Sequence, residues 1–172
     1  MAYANTSREQ IEVYRFSLPV TIAVPILALF LQAFVPLRFH FFTFFDLPLL
    51  VTIFFAVGRR SPVTGLLTGG VIGLVQDSLT HQPLGLYGIA KTVVGYGASS
   101  LGVKIDVDNP GTRLLVTFAF YIIHQLSYLV IARGLVGQEL EWRWGHEFIS
   151  ALANGLLAIP LFALLDRFKQ KN

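Results

Sequence analysis

The sequence predicts an all-α polytopic membrane protein with six transmembrane helices, the second one short, and three observations carry that expectation. Hydrophobic side chains make up 54% of the 172 residues and charged ones 13%, about half the ~25% charged share of an average soluble domain. Mean hydropathy is +0.63. Apolar runs long enough to cross a ~30 Å hydrocarbon core follow one another with short polar breaks, leaving no stretch large enough for a soluble domain. Strand-type alternation is absent, which argues against a barrel. Residues 1–172 therefore read as one integral membrane domain. The absence of cysteine removes disulfides and thiolate metal sites but leaves compartment to topology. The net charge of +3 comes from basic residues at helix ends rather than in one patch, so nucleic acid is not an expected partner.

Residues 1–16 are polar and carry two capping-box patterns, Thr6 with Glu9 and Ser7 with Gln10, which predict a short interfacial helix. The first span is expected over 17–36. Pro19 and Pro25 lie within it, and Gln32 is its strongly polar interior residue. A retained span suits it better than a signal peptide, because Glu9 and Glu12 acidify its flank and no cleavage site follows promptly. Phe39, Phe41, Phe42, Phe44 and Phe45 form an aromatic belt of the kind found at headgroup level. Asp46, with Pro48 in the first turn, caps the second span, expected over 44–57 and ended by Gly58, Arg59 and Arg60. At ~1.5 Å per residue its helical dozen covers only ~18 Å, so it either starts in the phenylalanines or is screened by neighbours.

The third and fourth spans are expected over 63–80 and 84–103, joined by a tight turn around Pro83, and a polar turn at 106–113 follows. The fifth, over 114–133, carries Tyr121, His124, Gln125 and Tyr128 on one face. Residues 134–145 form an acidic loop with Trp142 and Trp144 as interfacial anchors, and the sixth span, over 146–166, holds Ser150 and Asn154 before a basic tail. Six crossings put nine basic residues on one side of the membrane and three on the other, with Lys91 within it. The positive-inside rule then places both termini in the cytoplasm and the acidic loop outside.

Residues 64–102 stand out. Gly65, Gly69, Gly73 and Asp77 recur every fourth residue on the third span, while Gly85, Gly88, Thr92, Gly95, Ser99 and Gly102 follow a 3,4 alternation on the fourth. Small residues at such spacing let helices approach closely. Two helices share only one seam, so at least one stripe is expected to face something outside the pair. Asp77 and Lys91 are the formal charges in this stretch, and a charge at mid-membrane costs on the order of 2.5–3.5 kcal/mol. The expectation is that they pair across the third and fourth spans.

Other polar residues read more plainly. His124, with no second histidine at ligand spacing, is expected to bond across helices rather than hold a metal. Ser99 followed by His124 is similar to an intramembrane serine protease pattern, but the two lie at depths roughly 10 Å or more apart, which excludes a catalytic pair. No phosphate loop, cysteine nucleophile or usable carboxylate pair occurs. No catalytic residue, metal ligand or cofactor is expected.

The linear order resembles the rod shape-determining protein MreD family. The residues that carry the resemblance are Asp46-Leu47-Pro48-Leu49-Leu50 opening a short second span, the Arg59-Arg60 turn, Gly65 through Gly73 with Asp77, Pro83-Leu84-Gly85 and Gly95-Tyr96. The resemblance implies a non-enzymatic component of the bacterial cell-elongation machinery in the cytoplasmic (inner) membrane. It would bind the membrane-anchored scaffold MreC, and through it influence the peptidoglycan polymerase and transpeptidase pair and MreB filaments, amid membrane lipid. Asp46, Asp77, Lys91, Gly65, Gly69, Gly73, Gly85 and Gly88 are its candidate partner-binding or structural positions. It also implies a fold similar to the substrate-binding subunits of energy-coupling-factor transporters. The alternative function is accordingly a vitamin-type small-molecule binding subunit, which would need an enclosed polar pocket, whereas an adaptor needs an exposed apolar groove.

Overall fold

Prolines and short polar caps set where the helices begin. A computed structural model describes residues 15–105, 109–139 and 141–170, so the expected interfacial segment lies outside the described residues except for Arg15 and Phe16. Helix α1 (Leu18–Arg38) starts with Pro19 in its first turn, where the missing N–H costs nothing, and ends at Arg38. Its 21 residues rise ~31 Å, a full hydrocarbon thickness. A 3-10 turn, His40–Phe44, leads into α2 (Leu47–Arg59). Then follow α3 (Pro62–Leu79), α4 (Leu86–Gly102), α5 (Pro110–Ile131), a π turn over Ala132–Val136, and α6 (Trp144–Leu165). The fifth helix thus begins four residues before its expected start, because Asn109 caps it and accepts from the Gly111 N–H at 2.8 Å. Two-residue strands Arg15–Phe16 and Lys169–Gln170 pair antiparallel, bringing the start of α1 and the end of α6 to the same end of the bundle.

Four segments are long and apolar enough to cross a membrane: Leu18–Arg38, His40–Arg59, Pro110–Val136 and Trp144–Phe168. Helices α3 and α4, with 18 and 17 residues, are not among them, since glycines and buried polar side chains dilute their hydropathy. They form an antiparallel hairpin turned at His81 and Gly85, both with positive φ (56° and 105°). Gly85 is required there, because a side chain is strained at such a φ.

Helix α2 is the axis around which the others pack. All of residues 48–58 are buried, and the helix touches α1, α3, α4, α5 and α6. Leu49, Leu50, Ile53, Phe54 and Phe55 fill the centre with Val94, Ala98, Phe120, Ala151 and Phe162. The short second helix is therefore one screened by neighbours, and the 3-10 turn before it completes the apolar length of the crossing. By contrast, Leu18, Ile22, Ile26, Phe30, Phe34 and Leu37 of α1 point outward, the arrangement expected when hydrocarbon replaces water as solvent.

The α3–α4 seam is built on backbone contact. A Cβ at Gly65 would fall on the Ser99 hydroxyl and the Gly95 carbonyl, one at Gly69 on the Lys91 carbonyl, and one at Gly73 on the Tyr87 carbonyl. Every fourth residue of α3 thus meets every fourth residue of an antiparallel α4. The α4 stripe divides: Gly95 faces Gly65, whereas Gly102 faces Val57 of α2 and Ser99 donates to the Ala56 carbonyl at 3.0 Å. The α4 stripe thus faces something outside the α3–α4 pair, as its spacing leads one to expect, and that something includes α2 of the same chain. The two patterns differ because one serves a single seam and the other serves two, both within the chain.

Candidate functional site

Three polar chains converge on the N-terminus of α2, and each arrives there for a local reason. The first four N–H groups of a helix lack intrahelical acceptors, and buried in apolar surroundings they demand partners from elsewhere. Asp46 supplies one, its Oδ1 accepting from Leu49 N at 2.9 Å. Gln32 of α1 supplies another, accepting from Leu47 N at 3.1 Å. Asn154 of α6 accepts from Asp46 N at 2.9 Å, and its amide donates to the carbonyls of Phe44 and Ser150, both at 2.8 Å. Helix α2 therefore starts within the bundle rather than at its rim.

Lys91 completes the cluster. Its Nζ lies 2.7 Å from Asp46 Oδ2, and its side chain is wholly buried. The same ammonium is 3.2 Å from Nε2 of His124 on α5. Since an ammonium only donates, His124 accepts there and carries its proton on Nδ1. The Tyr87 ring centre sits 5.0 Å from the ammonium and lies nearly parallel to the His124 imidazole, at 4° and 5.8 Å. Tyr128 packs against Tyr87, with ring centres 5.0 Å apart. The positive end of the α2 dipole, the Asp46 carboxylate and the Lys91 ammonium thus alternate in sign within one buried group.

The expected Asp77–Lys91 pair is not formed. Asp77 instead caps α4: Oδ1 accepts from Tyr87 N at 2.9 Å, and Oδ2 from Gly85 N at 2.9 Å and Gly88 N at 3.1 Å. Three converging N–H groups and the helix dipole satisfy a carboxylate as well as a lysine would, which frees Lys91 to turn toward α2. Of the residues singled out in the sequence, Asp46 and Lys91 meet directly. Asp77, Gly85 and Gly88 form the adjoining cap, and Gly65, Gly69 and Gly73 lie along the α3–α4 seam below it. Gln32, Tyr87 and Asn154 belong to the same cluster. Each is a polar residue in an apolar span, and that was the signal available for them.

Within this cluster Asp46, Asp77, Lys91 and Asn154 use their donors and acceptors largely on one another and on helix ends, whereas Nδ1 of His124 is buried without a partner; Asp77, Lys91, His124 and Asn154 are wholly buried. What it accomplishes is mechanical: it pins α1, α2, α4, α5 and α6 at one level. A second group lies nearer the α6 start, where Gln125 Nε2 donates to Glu147 Oε2 at 2.7 Å and Tyr121 donates to the same oxygen at 3.4 Å.

In comparisons with known proteins, a family model described as rod shape-determining protein MreD matches residues 13–168. No curated protein and no solved structure matches the chain significantly.

Proposed function

Because the chain belongs to the MreD family of rod shape-determining proteins, we propose that it acts as a non-enzymatic membrane adaptor of the cell-elongation machinery. In this reading it binds an MreC-type scaffold and, through it, directs lateral peptidoglycan synthesis by the polymerase and transpeptidase pair along MreB filaments. The observation that carries the reading is the family match over nearly the whole chain. The polar centre agrees with it, since a small-molecule subunit requires donors left open to a ligand, and here the Lys91 ammonium and the α4 amides are turned onto carboxylates of the chain. We further assign the chain to the bacterial cytoplasmic (inner) membrane with six crossings and cytoplasmic termini, supported by the nine basic residues on one side. The pairing of Arg15–Phe16 with Lys169–Gln170 fits an even number of crossings.

The test is affinity purification of the tagged protein from detergent-solubilised membranes, with depletion followed by microscopy. Recovery of an MreC-type protein and rounding of depleted cells are the expected results. Recovery of an ATPase module, with cell shape intact, would overturn the adaptor in favour of the energy-coupling-factor binding subunit.

A further inference from the structure

His124 lies beside both charges of the polar centre. Its Nε2 is 3.2 Å from the Lys91 ammonium and 4.0 Å from Asp46 Oδ2, while Lys91 and Asp46 are 2.7 Å apart. One carboxylate thus has two nitrogen bases near it, and a single cation is enough to neutralise it. The neighbouring carboxylates are engaged elsewhere: Asp77 of α3 accepts from the α4 amides, and Glu147 of α6 from Gln125 and Tyr121. Tyr87 of α4 covers the imidazole face, and Tyr128 packs on Tyr87.

The contact between two nitrogens at 3.2 Å holds only for a neutral imidazole. The ammonium donates, so Nε2 must offer its lone pair. A proton placed on Nε2 sets an N–H against that ammonium and adds a second cation to a wholly buried site with one free anion. The other ring nitrogen gives no relief, since Nδ1 is buried without a partner. We propose that His124 is an acid-released latch: neutral, it accepts from Lys91 and ties α5 to α4 and the start of α2; protonated, it competes with Lys91 for Asp46 and the join opens. By the same geometry, a protonated His124 is the reserve counter-ion of Asp46 when Lys91 is missing. The Asp46 side chain is 14% exposed, so the cluster reaches solvent at the end of the bundle that the proposed topology places outside, and external acid is the stimulus. The latch is independent of the adaptor reading, since it requires only these three side chains.

The experiment is equilibrium unfolding of the full-length protein in mixed detergent micelles at about pH 7.5 and about pH 5.5. A histidine that takes up a proton only when the join opens should raise the wild-type unfolding constant about tenfold between these values, because stability is lost as pH falls below the histidine's ordinary range. His124→Gln keeps an acceptor for Lys91 but takes up no proton, and it should lack that tenfold. His81→Gln, at the exposed α3–α4 turn, should retain it. Lys91→Met supplies a second arm with the opposite sign: acid should strengthen this variant, or recover it if it is unfolded at neutral pH, as His124 becomes the cation beside Asp46. The same acid dependence in wild type and His124→Gln would overturn the latch. So would a Lys91→Met protein that acid weakens as it does the wild type, or that stays unfolded in acid.

Discussion

Lys91 and Asp77 are both charged, buried and on neighbouring helices, yet they resolve their charge by different means. The ammonium of Lys91 can only donate, so it needs an anion, and Asp46 is the one within reach at 2.7 Å. Lys91→Met leaves that carboxylate buried without its counter-ion, and a loss of ~3–5 kcal/mol is expected. Asp46→Asn added to Lys91→Met should recover part of it. Thermal unfolding in detergent across the two double-mutant cycles checks the assignment: Asp46 with Lys91 should couple more strongly than Asp77 with Lys91, and the reverse order would refute it. Asp77→Ala orphans three N–H groups at the head of α4 and should cost at least ~1–2 kcal/mol. Asp77→Asn keeps an acceptor oxygen and should cost less. The residues themselves were legible in the sequence, because a charge in an apolar run is conspicuous. Their partners were not. Asp46 was legible as the cap of the second span, and nothing local reveals that α2 starts deep enough for Lys91, 45 positions on, to reach it.

Among the helices, α3 and α4 show why spacing alone does not name the neighbour at each seam. Small residues mark where a backbone can be approached, and they do not mark what approaches. On α4 the surfaces that receive Gly69 and Gly73 are the carbonyls of Lys91 and Tyr87, two large residues whose side chains sweep away from the contact. A count of glycines passes over them. Gly69→Ala should therefore act on the fold, pushing the Lys91 carbonyl and costing ~1–3 kcal/mol as overpacking. Gly134→Ala, with nothing within 4 Å of the added carbon, should fall within ~0.5 kcal/mol of wild type. The fraction of monodisperse protein by size-exclusion chromatography, with the melting temperature, separates the two. A Gly69→Ala protein as stable as the wild type would mean the helices do not meet there. The existence and order of α1–α6 were readable from apolar runs and turn residues. The centrality of α2 was not, since a helix buried on every side and one facing lipid are equally apolar.

For the molecule as a whole, the paired strands Arg15–Phe16 and Lys169–Gln170 and the charge asymmetry motivate the proposed topology. The cysteine-free sequence makes it accessible to single-cysteine labelling. A cysteine at Glu139 should react with a membrane-impermeant maleimide in intact spheroplasts, whereas one at Lys104 should react only after permeabilisation. A fluorescent protein fused at Asn172 should mature and glow in the cytoplasm. The opposite labelling pattern would invert the orientation while leaving the packing untouched. Family membership was readable from short motifs spread over the chain, because those motifs sit at the helix caps and close contacts that the fold depends on.

The cap that Asn154 places on Asp46, 108 residues earlier in the chain, has a bearing on how the protein is made. When α2 leaves the ribosome, the helix carrying its acceptor has not been synthesised, and neither has the α4 lysine that meets its carboxylate. An unfinished chain must hold a buried-type helix in lipid with the Asp46 amide uncapped and the Asp46 carboxylate without its counter-ion. Maturation is thereby deferred to the last span, and chains truncated before α6 should be recognised as unassembled by membrane quality-control proteases and degraded, however well their first helices insert.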